Sequence, residues 1–219
     1  VLFAVENDQL GTIDVTTGVF TARPSIAGTG NGTEGLITFA NIESLTFNPY
    51  TAELFATHRR GAGEEDLLFR FDPATGAHVS GAFGGDDYVA IQKQHPYHHA
   101  ADMAFDPTDG QLYVVHWDAV GLTWTIATLD PATGATATRG TAPDDIVSLA
   151  FDEGGRLYAS TETGGAETLY ELDKADGSVV GSIVIDNGSN YAAMAIAFPV
   201  DANRSPAFDQ DLLDRTDPE

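Results

Sequence analysis

One hexapeptide, DPATGA, occurs twice in this chain of 219 residues, at 72–77 and at 130–135. When the two copies are aligned, the similarity extends on both sides and defines four related segments. These segments cover residues 2–22, 45–81, 103–140 and 149–182, and a last fragment at 194–201 repeats only the beginning of the unit. An internal repeat restricts the architecture strongly, because each copy has to adopt the same local structure.

Each unit contains four short apolar runs that are separated by turn residues. The first run ends in Phe, and these residues are Phe47, Phe105, Phe151 and Phe198, spaced 58, 46 and 47 residues apart. The second run has Leu followed by an aromatic residue, and the third ends in Asp with Gly four residues later. Alternating runs of about five residues rich in Val, Ile, Leu and aromatic residues predict strands. The Asn, Asp, Gly and Pro between them predict turns.

Four antiparallel strands per unit and this repeat length are typical of the blades of a β-propeller. We therefore predict an all-β fold, a small propeller of about four four-stranded blades over residues 1–198. The chain begins in the second strand of a unit, and residues 194–198 match a first strand. Joining these terminal strands would complete one blade and remove an open sheet edge. Residues 199–219 are acidic, break the repeat and are predicted to form a C-terminal strap or linker.

The sequences FDPATG (71–76) and DMAFDPTDGQLYVV (102–115) resemble the repeats of bacterial extracellular β-propellers of the NHL and YVTN type. The similarity covers nearly the whole chain, residues 2–198. It implies a propeller fold and a secreted or cell-surface location, but no particular activity, because unrelated activities occur on propellers. Common members have six or seven blades and this chain has four units, so it is either a small closed ring, which the split ends favour, or part of a larger one.

The repeated hexapeptide itself is explained as a turn. The Asp side chain can accept hydrogen bonds from backbone N–H groups two or three residues further on, and Pro presets the next φ angle. The Gly supplies the positive φ that ends the turn. We therefore interpret DPATGA as the hairpin between the third and fourth strands of a blade, in preference to a binding loop.

Composition excludes several classes of function. The chain has 33 acidic and 10 basic residues, a net charge of −23, which argues against nucleic acids and anionic membranes as partners. No apolar run reaches the roughly 18 residues that a membrane-spanning helix needs. The acidic surface suits a marine or saline medium, or a cationic partner. The absence of cysteine excludes zinc–thiolate sites, redox dithiols and cysteine nucleophiles.

Ligands of propellers usually bind at the top face, which is built by the connections between blades and the loops between second and third strands. Two of these connections, 23–42 and 82–101, are longer than the others. Two histidines end second strands at equivalent positions, and Asp102 begins an inner strand where other units carry Ser44, Ser148 and Ala195. The predicted ligand-binding residues of the top face are Glu6, His58, His95, Tyr97, His98, His99, Asp102 and His116.

Part of this set could form a metal site. Imidazole and carboxylate groups suit transition metals, and the candidate ligands are His95, His98, His99 and Asp102. Histidines that are solvated or bonded to turns are the favoured alternative. Oxygen-rich segments at 84–88, 106–111 and 185–190 suit calcium, with ordinary Asx-turns as the favoured alternative. No cofactor is required by the sequence.

No nucleophile motif and no phosphate-binding loop occurs, and the abundance of acidic residues prevents any carboxylate pair from being singled out. The leading hypothesis is a non-enzymatic recognition module that binds a protein, peptide or glycan. Tyr97, Trp117 and Trp124 are aromatic candidates for such contacts, although Trp124 fits an inter-blade core better. The alternatives are a metal-dependent lyase, hydrolase or oxidoreductase, and a structural subunit of a surface assembly. Neither enzymatic activity nor the oligomeric state follows from the sequence.

Overall fold

The computed structural model describes residues 2–61, 63–92, 99–118, 121–143, 145–161 and 167–186, and all regular structure in them is β-strand. Four antiparallel sheets ringed round an axis form a four-bladed β-propeller, as the repeat predicts. The first blade has three described strands: β1 (Leu2–Glu6), β2 (Gln9–Ile13) and β3 (Phe20–Ala22). A separate hairpin follows, of β4 (Thr29–Gly32) and β5 (Gly35–Thr38).

The other three blades have four strands each, ordered from the axis outward. The second blade contains β6 (Ile42–Asn48), β7 (Glu53–His58), β8 (Leu67–Phe71) and β9 (Tyr88–Ala90). The third contains β10 (His99–Phe105), β11 (Leu112–Asp118), β12 (Thr123–Leu129) and β13 (Thr136–Ala142), and the fourth contains β14 (Ile146–Phe151), β15 (Leu157–Thr161), β16 (Glu167–Leu172) and β17 (Val179–Asp186). No helix in the described part of the chain is long and apolar enough to cross a membrane.

Successive residues of a blade strand pack against different neighbouring blades. In β7, Leu54 and Ala56 belong to the core between the first and second blades, whereas Phe55 belongs to the core between the second and third. Side chains alternate between the two faces of a strand, and here both faces are covered. This is why all three residues are at most 4 % exposed, and why the strands read as almost continuous apolar runs.

The register of the inner strands follows the repeat. The repeated Leu at the start of the second strand lies opposite the repeated Phe at the end of the inner strand, in the pairs Leu54–Phe47, Leu112–Phe105 and Leu157–Phe151, and the second blade adds one further pair, Glu53–Asn48. Each of these three inner strands also has an irregularity in its pairing near its first residues. A β-bulge at that point changes the direction of the side chains in the first part of the inner strand, next to the propeller axis.

Both copies of DPATGA form turns, as predicted, but only 130–135 is a hairpin between a third and a fourth strand, β12 and β13. The copy at 72–77 closes the isolated bridge Phe71–His78, and the fourth strand β9 begins later, at Tyr88. The carboxylate of Asp72 accepts a hydrogen bond from the backbone N–H of Ala74 at 2.8 Å, and Asp130 accepts one from Ala132 at 2.9 Å. Gly134 closes the second copy with φ +72° and donates its N–H to the carbonyl of Asp130 at 2.9 Å. Its carbonyl accepts from Gln92 at 2.7 Å, so the turn also joins the third blade to the second.

The long connection at 23–42 is largely a packing element. The hairpin β4–β5 lies on the second blade, where the backbones of Asn31 and Asp87 are hydrogen-bonded at 2.8 Å. Phe39, which follows the hairpin, is buried and its ring stacks on that of Phe69 with centroids 4.3 Å apart. This segment therefore contributes to the core between the first and second blades.

Two predictions fall outside the described residues. They are the completion of the first blade by residues 194–198 and the C-terminal strap at 199–219.

Candidate functional site

The inner strands bring three polar side chains to the axis at one level. Asp102 of β10 lies between the equivalent residues Ser44 of β6 and Ser148 of β14. The Ser44 hydroxyl donates to Oδ1 of Asp102 at 2.6 Å, and the backbone N–H of Leu149 donates to Oδ2 at 2.7 Å. One carboxylate thus connects the inner strands of three consecutive blades.

Burial controls the protonation of this carboxylate. Removal from water raises the pKa of Asp102 to about 6, although the hydrogen bonds from Ser44, Leu149 and Met103 favour the charged form. The side chain keeps partial exposure. A carboxyl group that titrates near neutral pH in a partly open position is a candidate functional group, although structural networks perturb pKa values too.

Hydrogen bonds among buried polar groups of the neighbouring blades surround Asp102. The Ser44 hydroxyl accepts from the backbone N–H of Met103 at 3.1 Å, and the Ser44 N–H donates to the hydroxyl of Thr57 at 3.1 Å. In the fourth blade the hydroxyl oxygens of Ser148 and Ser160 are 2.5 Å apart. The position of Asp102 is therefore fixed by buried groups on both neighbouring blades.

His58 ends β7, whereas the equivalent His116 lies two residues before the end of β11, and both side chains are buried within the blades. They are 8 % and 5 % exposed. The Nδ1 atom of His58 accepts from the backbone N–H of Ala40 at 3.1 Å and also contacts the carbonyl of Ala40. The structure therefore gives His58 a packing contact with the segment before β6, and its ligand-binding role stays a prediction.

The remaining predicted residues are only partly described. Glu6 is exposed at the end of β1, and the backbone of His99 lies opposite Trp117 at the start of β10. The side chain of His99 and all of His95, Tyr97 and His98 lie outside the described residues. Within the described part of the chain, no group of three or more His, Asp or Glu residues is placed to hold a metal ion.

Two carboxylates outside the predicted site, those of Asp8 and Asp66, form hydrogen bonds between neighbouring blades. Asp8 accepts from the backbone N–H of Ile42 at 3.0 Å, and Asp66 accepts from that of Ala100 at 2.8 Å. Both acceptors directly precede the third strand of a blade, and both donors lie near the start of the next inner strand. An Asp in front of the third strand, as in NDQL and EEDLL, was the available sequence signal.

The carboxylates of two candidate calcium segments bind groups of the chain itself. Asp106 is fully buried and accepts from Lys174 and from the backbone N–H of Thr108. Asp87 accepts from the N–H groups of Asn31 and Gly81, both at 2.7 Å. Although burial opposes ionisation, these hydrogen bonds lower the pKa of Asp87. The third segment, 185–190, lies mostly outside the described residues.

The two tryptophans of the third blade differ in environment. Trp124 belongs to the core between the third and fourth blades, which confirms its predicted packing role. Trp117 packs against that core but keeps partial exposure, with its ring centroid 5.2 Å from that of Trp124. Of this pair, Trp117 is the one that remains accessible to a ligand.

Comparison with known proteins supports the fold alone. No protein-family model matches the sequence, and no curated protein matches it. The PQQ-bound aldose sugar dehydrogenase from Streptomyces coelicolor is 17 % identical with a TM-score of 0.54, over 87 % of this chain and 66 % of that one. The Dos1 propeller is 14 % identical with a TM-score of 0.48, over 86 % and 45 %. The chain thus spans less than two thirds of these proteins, and at such identities the similarity concerns architecture only.

Proposed function

We propose that the protein is a non-enzymatic recognition module that binds a protein, peptide or glycan at its top face, the end at which the inner strands begin. The observation that carries this proposal is Asp102, a half-buried carboxylate that three blades hold at the axis. Equivalent positions of the other described blades carry serine, so the repeat itself does not require an acidic group there.

The contrast between the two ends of the propeller supports this choice. At the opposite end, the turns between third and fourth strands repeat one design, in which Asp72 and Asp130 bond to their own turns. The top face instead carries Asp102 and the accessible Trp117 among the described residues, and the predicted ligand residues His95, Tyr97 and His98 belong to the divergent connection 82–101. Variable loops on a repeated scaffold are the usual location of binding residues.

The charge of the site indicates the chemistry of the ligand. A carboxylate at the axis of a chain with net charge −23 favours hydroxyl or ammonium groups over anions. A partly exposed indole offers a stacking surface for a sugar ring or an apolar side chain. We expect the protein to be secreted or displayed at the cell surface, as the resemblance to extracellular propeller repeats implies.

Arrays of glycans and of basic peptides, followed by calorimetry on the strongest ligand, test the proposal. We expect Asp102→Asn and Trp117→Ala each to weaken binding at least about tenfold, roughly the loss of one charged or aromatic contact. Asp130→Asn is the matched control, because it removes the same charge in a turn at the other end and asparagine supports the same turn. Equal affinity of the Asp102 variant and the control would contradict the proposed site.

The raised pKa of Asp102 also favours a second candidate, a metal-dependent enzyme in which this carboxyl group acts beside the histidines of the 82–101 connection. Elemental analysis of the purified protein, with melting curves in added Zn²⁺, Mn²⁺ or Cu²⁺, tests it. Stoichiometric metal and a metal-dependent rise in Tm that His98→Ala abolishes would favour the enzyme. An absence of both effects would eliminate this candidate.

A further inference from the structure

The outermost strand of each blade presents a sheet edge, and the first two blades keep this edge short or covered. β3 and β9 have only three residues each. The hairpin β4–β5 also lies beside β9, because the backbone N–H of Asp87, the residue before β9, donates to the carbonyl of Asn31 at 2.8 Å. Short edge strands and covered edges are two ways in which proteins prevent pairing with another chain.

The third blade protects a longer edge with a charged bulge. β13 has seven residues, and its exposed side chains are Ala137, Thr138, Arg139 and Thr141. Arg139 is the extra residue of a bulge in the pairing with β12. A basic side chain and a bulge both oppose the addition of a further strand. This edge is therefore polar and irregular as well as exposed.

The fourth blade differs, because its outer strand is long, uncharged over most of its length and apolar. β17 has eight residues and pairs only with β16 among the described residues. Its exposed aliphatic side chains are Val179, Val180, Ile183 and Val184, the last three by more than 60 %. Residues 177–185, GSVVGSIVI, contain neither a charged residue nor proline. Bulges at both ends of β17 leave a regular stretch at 181–184, whose outward N–H and C=O groups can accept a further strand.

Packing against the third blade does not explain these aliphatic side chains. Leu172 of β16 belongs to the core between the third and fourth blades, and Tyr170 packs against it. Val179 lies opposite Leu172, and cross-strand neighbours share a face. Ser182 lies opposite Tyr170, so Val184, two residues further on, is on this face too. The third blade is thus in place on this side, and Val179 and Val184 are nevertheless exposed.

Acidic residues flank the apolar edge. Asp176, in the turn before β17, is exposed, and hydrogen bonds from Ser178 lower its pKa, so its carboxylate is charged at neutral pH. Asp186 is the last residue of the strand. Lys174, the basic residue of the same turn, is bonded to the buried carboxylate of Asp106, which follows β10. The edge thus offers apolar contacts in its middle and acidic residues at both ends.

This distribution of charge favours a basic partner over a second copy of the chain. Two copies of β17 that pair edge to edge in antiparallel orientation would bring their acidic ends towards each other, in chains with a net charge of −23 each. A strand with Lys or Arg at its ends would face carboxylates instead, and complementary charge selects among partners.

We propose that the edge of β17 binds an extended segment of another protein, with β-branched residues in its middle and Lys or Arg at both ends. The segment adds a fifth strand to the fourth blade. Its backbone pairs with residues 181–184, and its side chains cover Ile183 on one face and Val184 on the other. Because β17 is the strand of its sheet furthest from the axis, this surface is separate from Asp102 and does not depend on the ligand of the top face.

The charge requirement of the edge can be tested with a synthetic peptide, acetyl-Lys-Val-Thr-Val-Thr-Val-Lys-amide. Fluorescence anisotropy of a labelled copy measures its binding to the full chain. We expect it to bind about tenfold more tightly than the same peptide with Glu in place of both Lys residues, roughly the effect of two charge pairs. Equal affinities of the two peptides, or no binding of the Lys peptide, would overturn the proposal.

Methylation of the peptide backbone separates strand addition from unspecific apolar binding. In an added strand, the N–H groups of alternate residues face β17 and the others face solvent. We expect N-methylation of one alternate set to weaken binding at least about tenfold, and methylation of the other set to change it less than about threefold. Equal effects of the two methylated peptides would overturn the proposal. Both are measured on the unmodified protein, so this test does not depend on the folding of a variant.

Substitutions in the protein locate the bound peptide. Ile183→Lys and Val184→Lys each place a positive charge on one face of the edge, and Thr138→Lys is the matched control, since Thr138 is exposed on the equivalent strand β13. We expect each β17 variant to weaken binding at least about tenfold and the control to leave it unchanged. Equal effects of the three variants would contradict this location. Sedimentation that shows wild-type dimers, abolished by Ile183→Lys, would also overturn the proposal, because a second copy would then occupy the edge.

Discussion

The carboxylate of Asp102 stands where the other described blades carry serine, and it is partly destabilising there. A buried carboxyl group whose pKa is raised binds its proton more tightly in the folded than in the unfolded chain. Between the ordinary value of 3.8 and the value of about 6 in the fold, this amounts to up to about 3 kcal/mol. The binding role proposed for Asp102 is consistent with a side chain that costs stability at neutral pH.

The raised pKa of Asp102 determines the direction in which the free energy of unfolding changes with pH. At pH 7 the full penalty of the charged Asp102 is present, and it disappears as the pH falls through 6 towards 4. We therefore expect the wild type to gain up to about 3 kcal/mol relative to Asp102→Asn between pH 7 and pH 4. Urea unfolding of both proteins at several pH values measures this difference. Parallel profiles would show that Asp102 titrates at its ordinary value.

A second prediction concerns the loss of stability when Gly134 is replaced by alanine. A Cβ atom there would overlap the carbonyl oxygen of Ala90, and φ is +72°. Gly84 has φ +70° but open space around it. We expect Gly84→Ala to cost about 1 kcal/mol from φ alone, and Gly134→Ala about 3 kcal/mol or more. Equal urea midpoints for the two variants would contradict the close approach of the blades.

At the scale of elements, the strands, their register and the repeated turn were predictable because the information is local. The Phe that ends the inner strand, the Leu that begins the next, and the Asp-to-Gly turn recur in the sequence at fixed offsets. The hairpin β4–β5 was not predicted, because its Gly, Thr and Asn residues have no apolar alternation. The bonds of Asp8 and Asp66 escaped prediction for another reason, since each acceptor is 34 residues from its donor.

In the candidate site, too, the position of a residue could be predicted from the repeat, whereas its contacts with distant residues could not. The axial position of Asp102 followed from aligning the units, because equivalent residues of a repeat occupy equivalent places. Its bonds to the Ser44 hydroxyl and to the backbone N–H of Leu149 could not be deduced, since they join residues 58 and 47 positions apart on neighbouring blades. The burial of His58 depends on Ala40 in the connection before β6, which has no counterpart in the repeat.

The hairpin β4–β5 depends on its contact with the second blade. The buried hydroxyl of Tyr88 donates to the carbonyl of Gly35 at 2.8 Å and accepts from the N–H of Glu34 at 3.2 Å. We expect Tyr88→Phe to lower the free energy of unfolding by about 1 kcal/mol and to speed amide exchange in residues 29–38. Tyr50→Phe is the control, because its hydroxyl bonds Pro107 elsewhere and the residue is 56 % exposed. Unchanged exchange in the hairpin would show that this hydroxyl does not anchor it.

At the scale of the whole molecule, charge opposes folding. The chain has 23 more acidic than basic residues, and much of the basic minority, such as Arg59, Arg60 and Arg156, already forms ion pairs. The remaining carboxylates repel one another in the compact state more than in the unfolded chain. The ion pairs of exposed arginines, such as Arg59–Glu43 and Arg156–Asp152, contribute little in return, since exposed pairs are worth about 0–1 kcal/mol each.

Salt should therefore stabilise this protein. Raising NaCl from about 10 mM to 1 M shortens the screening length from roughly 30 Å to 3 Å and weakens the repulsion more than the few ion pairs. We expect a gain of about 2 kcal/mol at pH 7, seen as a rise in Tm of roughly 4–8 °C. The control is the same titration near the pI of 4.2, where the net charge approaches zero and the effect should shrink. A Tm that falls with salt at pH 7 would mean that the ion pairs outweigh the repulsion. An equal rise at both pH values would mean that salt acts through apolar burial, as excluded co-solutes do.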